Sequence, residues 1–359
     1  MRNPLNLVAI LSLVSLTGLA SAQSPGASPQ SASVDLVPVS RPDGSIVWLG
    51  RCGTPNPADR LQAPSQGPLF EVPLPGDCDA DSTNPTPDYD PGQAYLVEVW
   101  VHIIENAAGT EGDVPDAQVH AQIAILNEDY RAIFGTLGES GNDAAYYFKL
   151  AGITRSNNDT WFNDGGAYYN TLAVDPHNYL NIYSNSAGGF LGYVPQLPTD
   201  QPPGGGFVGS TADRVVIYWE SFGRNSPFPP YHLGRTATHE VGHYFGLEHP
   251  FCCGCGTATP PLCNSSGDLI CDTNPDATSH FGCPVGATSC GSFLVPIDNY
   301  MEYTDDDCME EFTVEQRRRM RCALQHYRPL LGTPILFYDG FEYGPNGEDG
   351  LNAWSSVFP

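Results

Sequence analysis

Eleven consecutive residues carry the densest chemistry in this chain: His239-Glu240-Val241-Gly242-His243-Tyr244-Phe245-Gly246-Leu247-Glu248-His249. On a helix, residues four apart share a face. His239 and His243 therefore offer two imidazoles to one cation, with Glu240 beside them. Gly246 lets the helix end in a backbone conformation open mainly to glycine, and His249 folds back as a third donor. Three neutral imidazoles at roughly 2.0–2.1 Å, with a fourth position left to water, describe a catalytic rather than a structural zinc site. Such an ion lowers the pKa of its water towards about 7 and polarises a carbonyl. Glu240 is then the residue to take the water's proton and pass it to a leaving amine. H-E-x-x-H alone arises by chance in long helices, but the longer pattern fixes five positions.

A second stretch, Asn299-Tyr300-Met301-Glu302-Tyr303, follows about fifty residues later. After such a zinc motif, Met301 reads as a hydrophobic floor beneath the histidines. Tyr303 either donates to a developing oxyanion or packs beside the turn. The two stretches together match the metzincin signature.

These residues need a frame. Tyr95 to Ile104 reads as a strong strand. Pro115 to Phe134 reads as a helix with Ile123, Leu126, Tyr130 and Ile133 as its apolar stripe and Gly135 after its end. Further strands are expected at Tyr146–Ile153, Leu180–Tyr183 and Arg214–Trp219, and an edge strand at Gly188–Val194. The zinc helix begins near Arg235. Thr313-Val314-Glu315-Gln316 is a capping box that opens a last helix through Met320, Leu324 and Tyr327, closed by Pro329. The alternation predicts an α+β fold: a twisted mixed sheet with an active-site helix, a Met-turn and a C-terminal helix.

Composition bounds the setting. The chain has 359 residues, 41 acidic against 15 basic side chains and a net charge of -26, which argues against nucleic acid or an anionic membrane as partner. Leu5 to Leu19 behind Arg2, followed by Ala20-Ser21-Ala22, reads as a signal peptide over residues 1–22, so secretion is expected. No cysteine follows the cleavage site, so no lipoprotein anchor is expected. Residues 23–92 are rich in Pro, Ser, Gly and Asp and read as a pro-segment and linker with little core of its own. Residues 93–331 make the catalytic domain, and residues 332–359, with Trp354 and an Asp-Gly-Phe-Glu element, a tail of unassigned role. Eleven cysteines in an exported chain point to disulfides, and an odd count leaves at least one unpaired. For Cys252, Cys253, Cys255, Cys263 and Cys271, extra disulfides compete with a structural zinc cluster; Cys322 is a candidate free thiol.

Gly234 to His249 resembles the zinc helix of the pappalysin family of metzincins. Asn299 to Met309, with Asp305-Asp306-Asp307 and Cys308, resembles its Met-turn, and Leu191-Gly192-Tyr193 and Val215 to Tyr218 its upper strands. The similarity runs from about Tyr95 to Pro329 and is strongest to compact microbial members of the ulilysin type. It implies a secreted zinc endopeptidase, made as a zymogen, dependent on calcium and acting on proteins or peptides. Arg51-Cys52-Gly53-Thr54 resembles the motif whose cysteine caps the zinc; the alternative is a Cys52–Cys78 disulfide. The resemblance also implies a Cys283–Cys308 disulfide, and a pairing of Cys290 with Cys252, Cys253 or Cys255. It makes Asp268, Asp272 and Thr273 candidate calcium ligands, although Cys271 and Asn274 depart from the family pattern. It makes Asp307 the acid of a pocket for arginine on the primed side of the scissile bond, against a reading of Asp305–Asp307 as a solvated or calcium-binding run. In keeping with an arginine preference, no Arg or Lys lies between Arg60 and Arg131. A non-catalytic metal-binding adhesin that kept the fold is the competing reading.

Overall fold

The computed structural model describes residues 36–55, 78, 86–260 and 262–335. The expected signal peptide, the bond after Asp59 and the Asp-Gly-Phe-Glu tail lie outside the described residues.

The sheet is organised on β3 (Ala94–Glu105), whose Val97, Val99, Val101 and Ile103 are all fully buried. Alternate residues of a strand face one side, so this run gives β3 one uniformly apolar face. On one edge β3 pairs in parallel along its length with β4 (Tyr146–Asn157). On the other it pairs in parallel with β5 (Leu180–Asn185) and, towards its start, antiparallel with β10 (Gly332–Ile335). β7 (Val215–Tyr218) lies parallel to β5, and β6 (Gly192–Tyr193) closes the sheet antiparallel to β7. A mixed six-stranded sheet results.

Helix α1 (Asp116–Tyr130) lays Val119, Ile123, Leu126 and Tyr130 on that face. It stops four residues before Phe134, because Ala132 takes a positive φ of 48° and Phe134 is left exposed. Ile133 thus follows the helix rather than completing its stripe. Two short helices, α2 (Asp159–Phe162) and α3 (Tyr169–Leu172), connect β4 to β5. Helix α4 (Arg235–Tyr244) is buried along its whole length. Helix α5 (Val314–Tyr327) opens on the expected capping box. Thr313 accepts from Gln316 N at 3.1 Å, and Gln316 Oε1 accepts from Thr313 N at 2.9 Å. A two-residue hairpin, β8 (Thr288–Ser289) and β9 (Phe293–Leu294), lies between the zinc motif and the Met-turn.

Two expectations are corrected. Residues before 93 do contribute core: β1 (Leu36–Ser40) and β2 (Ile46–Gly50) form an antiparallel hairpin. Its Val37, Val39 and Leu49 pack with Leu191, Tyr218, Phe228 and Tyr231. Pro38 masks β1 in the sequence, since proline is tolerated only where no ladder donor is needed. Cys322 is not free. It bonds to Cys78, 244 residues away in sequence, and so removes the Cys52–Cys78 alternative. The other disulfides are Cys252–Cys253, Cys255–Cys290, Cys263–Cys271 and Cys283–Cys308, leaving Cys52 free. The cluster is thus spent on disulfides rather than a structural zinc, and Cys290 takes Cys255.

Candidate active site

Helix α4 starts at Gly234, which holds a positive φ of 84°. Asp306 accepts from Leu233 N at 2.8 Å and Arg235 N at 3.3 Å, placing a carboxylate where a helix N-terminus favours one. The chain then turns at Gly246, φ 90°, and His249 returns to the helix face.

The three imidazoles meet. Their Nε2 atoms are 3.2, 3.2 and 3.0 Å apart. His239 Nδ1 donates to Tyr300 O and His243 Nδ1 to Leu247 O, both at 2.7 Å. A carbonyl oxygen only accepts, so each of these rings carries its proton on Nδ1 and presents an Nε2 lone pair. Burial and the neighbouring His243 hold His239 well below the ordinary histidine pKa, in the neutral form that binds metal. Converging buried lone pairs repel unless a cation lies between them. Their spacing is close to the roughly 3.3 Å edge of a tetrahedron built on 2.0–2.1 Å zinc–nitrogen bonds. The donor set therefore fits zinc.

Cys52 Sγ joins this group, with all four ligand atoms within 4.8 Å of one another. It lies 3.6 Å from His243 Nε2 and 3.5 Å from Glu240 Oε2. Glu240 Oε2 also accepts from Thr54 Oγ1 at 3.2 Å, while Oε1 has no partner among the described residues. Complete burial pushes the Glu240 carboxyl up to about 8 in this arrangement. The segment around Cys52 lies along the sheet edge. Leu191 N donates to Gly50 O at 2.8 Å, Gly53 N to Gly192 O at 2.9 Å and Val194 N to Thr54 Oγ1 at 2.8 Å.

Met301 is fully buried beneath α4. A Cβ at Gly242 would stand 2.5 Å from Met301 Sδ, so a larger residue there would displace the sulfur. Gly192 is equally constrained, since a Cβ would meet Glu240 Cγ at 2.6 Å. The ring of Tyr303 lies 4.9 Å from that of His249 and 5.9 Å from that of His239, and burial pushes its hydroxyl well above the ordinary tyrosine pKa. Thr54, Gly192 and Gly242 stand inside motifs that the sequence shows, but their contacts with Glu240 and Met301 are not legible there. The glycines inside the motif and beside Tyr193 were the available signal.

The acidic residues of the Met-turn divide. Arg51 is buried, with its guanidinium over the Tyr231 ring at 4.9 Å and Nη2 3.7 Å from Met309 Sδ. Burial holds the Asp305 and Asp306 carboxyls above the ordinary aspartate pKa, and the nearby Arg51 charge offsets this only in part. Asp307, the residue chosen from sequence, is exposed on the short turn Asp306–Cys308. In the expected calcium loop, Thr273 Oγ1 donates to Asp268 Oδ2 at 2.6 Å. Asp272 accepts from Glu315 N, at the start of α5, and its charge still acts on Asp268.

Known proteins are similar to this chain in sequence and fold. The family described as pregnancy-associated plasma protein-A, peptidase family M43, matches residues 170–325. An extracellular metalloprotease of Pyricularia oryzae is 32% identical over 286 residues, covering 77% of this chain and 89% of that one. Extracellular metalloprotease 1 of Coccidioides posadasii is 35% identical over 237 residues, 65% and 78% of the two chains. Among solved structures, a mutant of Tannerella forsythia promirolysin aligns with a TM-score of 0.56 and 31% identity, over 68% of this chain and 86% of that one. Mature mirolysin in complex with a cleaved peptide aligns with a TM-score of 0.54 and 31% identity, over 68% and 100%.

Proposed function

The chain belongs to the pregnancy-associated plasma protein-A family of metallopeptidases, and on that footing we propose that it is an exported zinc endopeptidase held latent by its own residues 50–54. The observation that carries this reading is the convergence of Cys52 with His239, His243 and His249. Export is supported by the names of the fungal relatives, which are extracellular metalloproteases, and by the leader-like start of the sequence.

The three imidazoles would hold the ion, and zinc bound there supplies a Lewis acid and a more acidic water. Glu240, beside the three imidazoles, would take a proton from the attacking water and deliver it to the leaving nitrogen. Tyr303, kept protonated by burial, donates to the carbonyl oxygen as charge develops on it. Residues 190–194 offer backbone groups to which an extended peptide adds as a strand. In the latent chain Gly50, Gly53 and Thr54 use those groups, and Cys52 holds the position that water needs. Latency thus blocks both the substrate track and the reaction centre.

Specificity follows from Arg51. A pocket that buries the Arg51 guanidinium beside Tyr231, Met309 and Asp305 would accept a substrate arginine, on the primed side by the family resemblance. Asp305 takes the selecting role in this reading, since Asp306 is fully buried with Oδ2 on the α4 N-terminus and Asp307 is exposed. The Asp268–Thr273 pair supports a calcium site in the loop before the Met-turn.

The test uses the full chain, intact and cut by an added protease between Thr54 and Ala94, against a peptide library. The expected result is silence when intact and cleavage before arginine once cut. Activity should be lost on zinc chelation and restored by zinc, and calcium chelation should lower the melting temperature. Equal activity of the intact and cut chains overturns latency, and activity indifferent to zinc overturns the mechanism. Stability indifferent to calcium removes the calcium site.

A further inference from the structure

A second convergence lies outside the three-histidine site. Asp276 and His280 belong to the loop that precedes the Met-turn, and Glu302 is the residue after Met301. Asp276 and Glu302 are fully buried, and the His280 side chain is 22% exposed. Their ligand atoms lie within 4.8 Å of one another, and His280 Nδ1 is 3.0 Å from Asp276 Oδ2. Despite that distance, neither of those two atoms, nor Glu302 Oε2, makes a hydrogen bond among the described residues.

The remaining carboxylate oxygens are committed to backbone. Asp276 Oδ1 accepts from Thr278 N at 3.3 Å. Glu302 Oε1 accepts from His280 N at 3.0 Å and from Tyr303 N at 2.9 Å. Backbone donors therefore orient each carboxylate and leave one bare oxygen on each, close to a ring nitrogen. Buried carboxylates in such a place are costly without a counter-charge. Burial accordingly pushes Glu302 up to about 8 when no ion is present.

We propose that Asp276, His280 and Glu302 bind a divalent transition-metal ion, zinc being the fitting case, at a structural site separate from His239, His243 and His249. One imidazole and two carboxylates are a donor set common to zinc and its neighbours. Calcium prefers six to eight oxygens, which an imidazole does not supply. Two carboxylates also neutralise a dication. The ion would tie the 276–280 loop to the Met-turn at Glu302, between Met301 and Tyr303. Its role is to hold the floor of the reaction centre, and it takes no part in the reaction.

The experiment counts metal in the full chain after equilibration with zinc and removal of the excess, for wild type, His280→Ala and Asp276→Asn. Two equivalents in wild type and one in each variant are expected. Zinc should also raise the wild-type melting temperature by more than it raises that of the variants, since an ion bound only to the native state stabilises it by mass action. One equivalent in wild type, two retained by His280→Ala, or calcium filling the second position in place of zinc would each overturn the proposal. Should the variants fail to fold, cobalt substitution of the wild type decides. Absorption from a second cobalt with mixed nitrogen and oxygen ligands supports the site, and a spectrum accounted for by one cobalt held by the three histidines and Cys52 removes it.

Discussion

His239 donates from Nδ1 to the carbonyl oxygen of Tyr300 at 2.7 Å, so the Met-turn sets the tautomer of the first histidine on α4. Asn299, one residue earlier, exchanges hydrogen bonds with Gln316 at 2.8 and 3.0 Å and accepts from Met301 N at 2.9 Å. Gln316, whose side chain closes the α5 capping box, therefore also holds the turn that orients the His239 imidazole.

Gly242→Ala tests this coupling. The added methyl would lie 2.5 Å from Met301 Sδ. Methionine is adaptable, but overpacking a filled site typically costs about 1–3 kcal/mol. Denaturant melts should show that loss, with weaker zinc retention. Unchanged stability and zinc retention would mean that Met301 does not support the helix.

Glu240→Gln keeps the shape of the side chain and removes the carboxylate proposed as the base. Turnover should fall about 10²–10⁴-fold with zinc content intact, read from single-peptide kinetics alongside metal analysis. Near-wild-type turnover in a zinc-loaded variant would remove Glu240 from the proton transfer.

Cys52→Ala removes the only free cysteine without touching the hairpin that anchors residues 36–50. The intact chain should then cleave peptides before any proteolysis, though more slowly than the cut enzyme, because Gly53 and Thr54 still lie on the sheet edge. Continued silence would place the block in the strand-like contacts instead.

Asp305→Asn should lower kcat/KM for peptides with a primed-side arginine by roughly tenfold, about 1.4 kcal/mol, relative to an uncharged residue there. Asp307→Asn should leave that ratio unchanged, because Asp307 is exposed. The reverse pattern would return selectivity to Asp307.

His102 gives a pH signature. It sits in β3 between Thr154 Oγ1 at 2.7 Å and Asn181 Oδ1 at 2.9 Å, and burial lowers its pKa from 6.5 to about 4. As pH falls below 6.5 the unfolded chain takes up this proton first. The folded state therefore loses stability between 6.5 and about 4, by up to roughly 3 kcal/mol. His102→Gln should flatten that acid limb in melting curves taken across the range. Parallel curves for the two proteins would show that His102 does not titrate on unfolding.

What the sequence alone determined is local. The four-residue step from His239 to His243, the turn at Gly246, the Thr313–Gln316 box and the apolar runs of β3, β5 and β7 all express periodicities set within a few residues of backbone. They sufficed for the α+β class and for a three-histidine constellation. The tertiary structure decided what depends on separated segments meeting. The Cys78–Cys322 bond spans 244 residues, and eleven cysteines admit many pairings that spacing cannot rank. The core contribution of β1 and β2 was hidden by Pro38 and by strands too short to show a period. Asp305, Asp306 and Asp307 are chemically alike and adjacent, so only the turn that exposes Asp307, buries Asp306 with Oδ2 on a helix start and leaves Asp305 half-buried near Arg51 tells them apart. Asp276, His280 and Glu302 gain meaning in the same way, because burial and shared space, which no spacing records, set what a carboxylate and an imidazole can bind.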